Sequence, residues 1–276
     1  MIATDKKYFL KIHREEKVKE EIFQTLAILK SELHSKEIIA PIKNISRNSL
    51  VKMDNYLIGL FDYIDGQTNE EVKLTYNQLE EIGELLGKIH GSKITNFSIK
   101  EAFEVPLKPD FLRAFDEIKK ISDQSSDYKQ EVKKLLEKYK LKLFERFNEL
   151  EKLQTKLKQQ EVKLVLCHGE PSPGNILISG VGKIYLIDWD DLILAPKEKD
   201  LMFFSERLDP VLKGYRKIFP NAKISENIQI FYEIKWLITE VADYAIRILF
   251  PTEEESQIRK NLEELKYVFE YMGIVS

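Results

Sequence analysis

The chain has 276 residues, 43% hydrophobic and 32% charged, with a formal net charge of −3. That balance belongs to a globular, water-exposed protein and argues against a surface built for nucleic acid or anionic membranes. A lone cysteine, Cys167, excludes an internal disulfide and fits a reducing cytoplasm, and four scattered histidines do not make a zinc site.

The length favours one large domain or two unequal ones. The opening MIATDKKYFLKIH carries charges where a signal peptide needs an apolar core, and no window reaches the ~18 apolar residues of a membrane span. KYFLKIH (7–13) reads as a short strand, and EEKVKEEIFQTLAILKSELH (15–34) as a helix with Ile22, Leu26 and Leu29 on one stripe. EIIAPIKNI, SLVKM and YLIGLFDYI then read as strands, the last two joined at Asp54-Asn55 like a hairpin. DGQTNEE (65–71) is a polar, turn-forming break that divides a lobe of residues 1–64 from a mostly helical lobe of residues 65–276. Beyond it, LTYNQLEEIGELLGKIH places Leu79, Ile82, Leu86 and Ile89 at helical spacing, and KPDFLRAFDEIKKI predicts another helix. From Asp127 to about Gln159, Val132, Leu136, Tyr139, Leu143, Phe147, Leu150 and Leu157 keep one stripe. A single helix of roughly 45 Å fits that stripe, with its charges on a solvated side.

The chemistry concentrates in LVLCHGEPSPGNILISGVGKIYLIDWDD, from Leu164 to Asp191. KLVLCH and KIYLID are apolar runs of strand length. Gly169, Pro171, Pro173 and Gly174 keep the loop between them from becoming a helix, so that loop carries Glu170 and Asn175, while Asp188 ends the second run. An amide and a carboxylate together form an incomplete oxygen-ligand set of the kind Mg²⁺ prefers, completed by waters and substrate phosphates. An acid five residues before the Asn is placed to orient and deprotonate a hydroxyl nucleophile. Cys167 reads as a small buried filler, because no base is placed to activate it.

These residues resemble the aminoglycoside phosphotransferase family, small-molecule kinases with a protein-kinase-like fold. The family's catalytic loop is His-Gly-Asp, with an Asn five positions after the acid and a metal-binding Asp about thirteen further on. Here those positions hold His168-Gly169-Glu170, Asn175 and Asp188, and the continuation IDWDDLILAPKEKDLMF looks most like the spectinomycin phosphotransferase branch. The resemblance implies an α+β, two-lobed fold with a small N-terminal sheet lobe and a large helical C-terminal lobe. It implies Glu170 as base, Mg²⁺ on Asn175 and Asp188, and ATP or GTP as co-substrate. Lys11 in FLKIH would contact the nucleotide phosphates, Glu21 or Glu20 would hold that lysine, and LFDYIDG, with Asp62 and Ile64, would be the hinge that meets the base.

Two departures stand out. The base position holds Glu rather than Asp, and only ten residues precede Lys11, where the family places two strands and a phosphate-covering loop. The sheet lobe is therefore expected to lack its first strands and to grip nucleotide weakly. His168 is expected to brace the loop, Asp200 to act as a structural cap, and Asp190 either to bind substrate or to brace. In FYEIKWLITEVADYAIRIL one stripe is apolar, and another holds Glu233, Trp236, Glu240 and Asp243. Three acids around an indole suit a cationic acceptor, through charge-assisted hydrogen bonds and a cation–π face. The expected activity is phosphorylation of a small-molecule hydroxyl, with an aminocyclitol or aminoglycoside as acceptor. A kinase of choline, homoserine or a sugar, and a non-catalytic ligand-binding relic, are the alternatives. The sequence leaves monomer and dimer equally open.

Overall fold

The computed structural model describes residues 6–16 and 18–274, with side chains to residue 270. The chain packs as two compact units, one of Met1–Glu101 with Val162–Ser225, the other of Ala102–Glu161 with Glu226–Ser276. The expected lobe boundary at residues 64/65 falls inside the first unit.

In the first unit, strand β1 (Tyr8–Arg14) leads to helix α1 (Glu20–Leu33), which buries Ile22, Phe23, Leu26 and Leu29. Strands β2 (Val51–Met53) and β3 (Tyr56–Asp62) form the hairpin expected at Asp54-Asn55, with Asp54 at φ +52°. The sheet order is β1-β3-β2, all antiparallel, with Lys11 opposite Gly59 and His13 opposite Leu57. The strand expected over 37–45 does not form. Ile38 makes one isolated bridge to Leu186, the Ile42 N–H reaches Leu60, and Pro41 removes the donor that a continuing ladder needs.

The polar break contains a short strand instead, β4 (Gly66–Thr68), paired with β6 (Ile176–Ser179), which in turn pairs with β7 (Ile184–Leu186). Helix α2 (Tyr76–His90) begins in a capping box between Thr75 and Gln78. Strand β5 (Val165–Cys167) pairs with β8 (Ile193–Ala195), and the short α5 (Glu198–Leu201) and α6 (Leu208–Tyr215) follow. A continuous core joins Leu26, Leu86, Ile89, Leu166, Leu186, Trp189 and Leu201, so the two functional strands β5 and β7 end on a packed base.

The second unit is helical: α3 (Lys108–Ile118), α4 (Asp127–Lys158), α7 (Glu226–Leu249) and α8 (Glu255–Ile274). The 32-residue α4 is the single long helix that the stripe predicts. It buries Val132, Leu136, Leu143, Phe147, Leu150 and Leu157, while Tyr139 stacks on Phe269. Among the described residues, no helix is long and apolar enough to cross a membrane.

Candidate active site

The pleat of β1 sends Phe9, Lys11 and His13 to one side of the sheet, because successive side chains of a strand alternate. Lys11, Asp62, Ile64, Asn175, Asp188 and Asp190 all line one cavity of about 330 Å³, together with Phe9, Phe23, Phe61 and Trp189. Residues read from three separate stretches of sequence therefore share one space. Lys11 Nζ lies 2.7 Å from Asp188 Oδ1 and 2.9 Å from Asp190 Oδ2. Burial works against the Lys11 ammonium, but its hydrogen bonds to the two carboxylates outweigh burial and raise its pKa above the ordinary lysine value. Asp190 shifts upward as well, chiefly by burial; the hydrogen bond from Lys11 opposes that shift and the like-charged Asp188 adds to it. Asp188 is held at φ +56°, a conformation that side-chain-bearing residues adopt rarely and that is found where a site over-determines the backbone.

The loop after β5 is clamped from beneath. Asp200, fully buried at the end of α5, accepts from the backbone N–H groups of His168 (2.9 Å) and Gly169 (2.8 Å) and from His90 Nε2 (3.0 Å). Gly169 has φ +99°, and a Cβ there would stand 2.0 Å from the Asp191 carbonyl oxygen, so only glycine fits. His168 Nε2 donates to the Ile187 carbonyl at 3.0 Å, its Nδ1 accepts from the Glu170 N–H at 3.3 Å, and its ring packs on Trp189. Burial lowers the His168 pKa, which preserves that neutral donor–acceptor arrangement. Asn175 Nδ2 donates to the Glu170 carbonyl at 2.9 Å, so the backbone of Glu170 is held on both sides. His168 braces the loop as expected, whereas Asp200, expected as a structural cap, instead clamps the loop from beneath.

One expected pairing is absent. Glu21 does not hold Lys11: its carboxylate accepts from both the N–H and the hydroxyl of Ser98, which occupy its two oxygens, while Lys11 has two carboxylates of its own. Ser98 pulls the Glu21 pKa below the ordinary value. Glu170 is not among the cavity-lining residues. Glu233, Trp236, Glu240 and Asp243 lie on α7 in the second unit, all partly buried. Glu233 accepts from Gln229 Nε2 at 2.9 Å, and Asp243 pairs with Arg247 at 2.9 Å. Burial, reinforced by Asp243, pushes the Glu240 carboxyl up to about 7.

Sequence reasoning passed over His13 and His90. His90 continues the i, i+4 row of Ile82 and Leu86 into the core, where its Nδ1 lies 3.0 Å from the Tyr215 hydroxyl. A histidine on an apolar stripe was the available signal. His90, Cys167 and Asp200 come close together, but each has protein partners, Cys167 donating to the Ala195 and Pro196 carbonyls, so the cluster is a hydrogen-bond network.

Residues 2–214 match the phosphotransferase enzyme family designated APH. The chain belongs to this family. Its fold superposes on the spectinomycin phosphotransferase APH(9)-Ia, solved with ADP and spectinomycin, at a TM-score of 0.82. That match has 22% identity and spans 96% of this chain and 83% of the other. The choline kinase LicA from Streptococcus pneumoniae matches at a TM-score of 0.52 and 16% identity, over 96% of this chain and 87% of its own. Protein StrN from Streptomyces griseus is 22% identical, over 82% of this chain and 69% of its own length. The phosphotransferase fold is therefore the α+β, protein-kinase-like one.

Asn175 and Asp188, both lining the cavity, are residues that could hold a divalent cation. An ammonium already stands 2.7 Å from Asp188 Oδ1, and the Asn175 amide, by donating through Nδ2, leaves its Oδ1 for a cation. Oxygen from one amide and one carboxylate is a Mg²⁺-type donor set.

Proposed function

We propose that this protein transfers the terminal phosphoryl group of ATP or GTP to a hydroxyl of a small cationic acceptor. The observation that carries this reading is the single cavity that collects Lys11, Asn175 and Asp188 beside the 62–64 segment. The base would lie against the backbone of Asp62 and Ile64, and the phosphates would reach Lys11. Asn175 and Asp188 would hold Mg²⁺, which when bound neutralises phosphate charge. Lys11 adds a further positive charge toward the phosphate oxygens, and Glu170 orients the acceptor hydroxyl and takes its proton. The new O–P bond forms as the bond from the γ-phosphorus to the bridging oxygen breaks, and the nucleoside diphosphate leaves with that electron pair. Such transfer needs positioning and charge neutralisation more than covalent chemistry.

We infer the acceptor class from one stripe of α7, where Glu233, Glu240 and Asp243 lie with Trp236. An ammonium there would compete with Arg247 for Asp243 and favour the ionised form of Glu240, which supports an aminocyclitol or aminoglycoside. The same indole would also suit a choline-like amino alcohol, the second reading. Turnover of ATP with Mg²⁺ against a panel of aminocyclitols, aminoglycosides, choline, ethanolamine and neutral sugars decides between them. Turnover only with neutral sugars, or with no member of the panel, refutes the cationic-acceptor reading.

A further inference from the structure

Strand β1 aims two side chains of one face at a single carboxylate oxygen. Lys11 Nζ is 2.9 Å and His13 Nδ1 is 3.3 Å from Asp190 Oδ2. We propose that His13 is a positioning residue for nucleotide binding: it fixes the Asp190 carboxylate, which together with Asp188 sets the place of the Lys11 ammonium. This rests on the phosphotransferase reading and deepens it. The anchor that the family resemblance assigns to a helix glutamate is, in this chain, built from the strand itself and the segment after β7.

Three observations support the assignment. Glu21 is engaged by Ser98 and Glu20 accepts from Gln24, while the carboxylates on Lys11 are Asp188 and Asp190, so neither helix glutamate is the anchor. His13 is only 6% exposed and its ring packs on Phe23, with centroids 5.2 Å apart, so it is held in one orientation. His13 Nε2 and Asp190 Oδ1 are buried and find no hydrogen-bond partner among the described residues. An aliphatic side chain of similar size at position 13 would avoid the cost of the Nε2 orphan. A purely space-filling role therefore does not account for a histidine here. What the imidazole adds over an aliphatic group is a polar ring nitrogen 3.3 Å from Asp190 Oδ2, the same oxygen that Lys11 Nζ approaches at 2.9 Å.

The test is calorimetric titration of ADP with Mg²⁺ into the full chain and into His13→Ala, His13→Asn, Lys11→Ala and the double variant His13→Ala/Lys11→Ala, with a melting temperature for each. Loss of the close polar contact that places Asp190 predicts that His13→Ala weakens binding about tenfold. His13→Asn, whose amide N–H reaches the place of Nδ1, should recover most of that. In the Lys11→Ala background the same His13→Ala change should cost less than about twofold, because there is no ammonium left to place. An equal loss with and without Lys11, or failure of a folded His13→Asn to recover binding, makes His13 merely structural and overturns the proposal. A larger loss in Glu21→Gln than in His13→Ala returns the anchor to the helix. No ADP binding by the unaltered protein would instead overturn the functional reading, and this proposal with it.

Discussion

Replacing Asp200 with alanine should detach the catalytic loop from its base, and the structure sets the size of the effect. The carboxylate is fully buried and accepts three hydrogen bonds of 2.8–3.0 Å, from His168 N–H, Gly169 N–H and His90 Nε2. Alanine leaves three buried donors without acceptors. At about 1–3 kcal/mol for each orphan, with the imidazole and neighbouring amides partly relaxing, a loss of about 4 kcal/mol is expected. That is a large fraction of the roughly 5–15 kcal/mol by which domains are stable. Asparagine keeps one acceptor but turns an amide N–H toward a donor, so about 2–3 kcal/mol should be lost.

Urea unfolding followed by the fluorescence of Trp189 measures this, because Trp189 packs on His168 in the affected loop. The pH dependence gives an independent check. Burial pushes the Asp200 pKa up, but hydrogen bonds from His90 and Gly169 and the nearby His168 outweigh it, and the net shift is downward. A depressed carboxylate stabilises the folded state fully above its unfolded value of 3.8, and that contribution disappears as pH falls through the lower folded value. The gap between wild type and Asp200→Asn should therefore narrow below about pH 4. A loss below about 1 kcal/mol for Asp200→Ala at neutral pH would show that the loop does not depend on this clamp.

Glu170→Gln should leave ADP affinity nearly intact while turnover falls by about 100-fold or more, since only the base and its orienting role are removed; substantial residual turnover removes Glu170 from the mechanism. Asp188→Ala should abolish the Mg²⁺-dependent rise in melting temperature caused by ADP, because only a ligand held by the native state raises apparent stability; an unchanged shift refutes the metal assignment. Gly169→Ala should destabilise the loop and lower turnover through the 2.0 Å approach to Asp191, and a melting temperature equal to wild type would contradict that geometry. Glu240, raised from 4.5 to about 7, makes stability fall as pH rises between those values. Glu240→Gln should therefore remove that decline and add on the order of 3 kcal/mol above pH 7, measured by denaturant midpoints at pH 5 and pH 8.

Part of the arrangement was legible as spacing. Asn175 and Asp188, which line the cavity, stand with Glu170 at intervals that one strand–loop–strand unit imposes, and the glycines and prolines between them exclude an α-helix, leaving the single 3₁₀ turn of Pro173–Asn175. The apolar stripes of α1, α2 and α4 and the Asp54-Asn55 hairpin are equally local, since a period of 3.6 or 2 is written within a dozen residues. Strands β4, β6 and β8 were not legible: each has three or four residues, too few for a period to show, and exists because a distant strand completes its ladder. The choice of partners was decided by the tertiary structure alone. Lys11 meets Asp188 and Asp190 across 177 and 179 residues, and Glu21 turns to Ser98 instead. A sequence shows that a charge exists and which side of its element it occupies. Which opposite charge it meets depends on how elements far apart in the chain pack, because electrostatic and hydrogen-bond energies fall off within a few ångströms and only folding brings those groups into range.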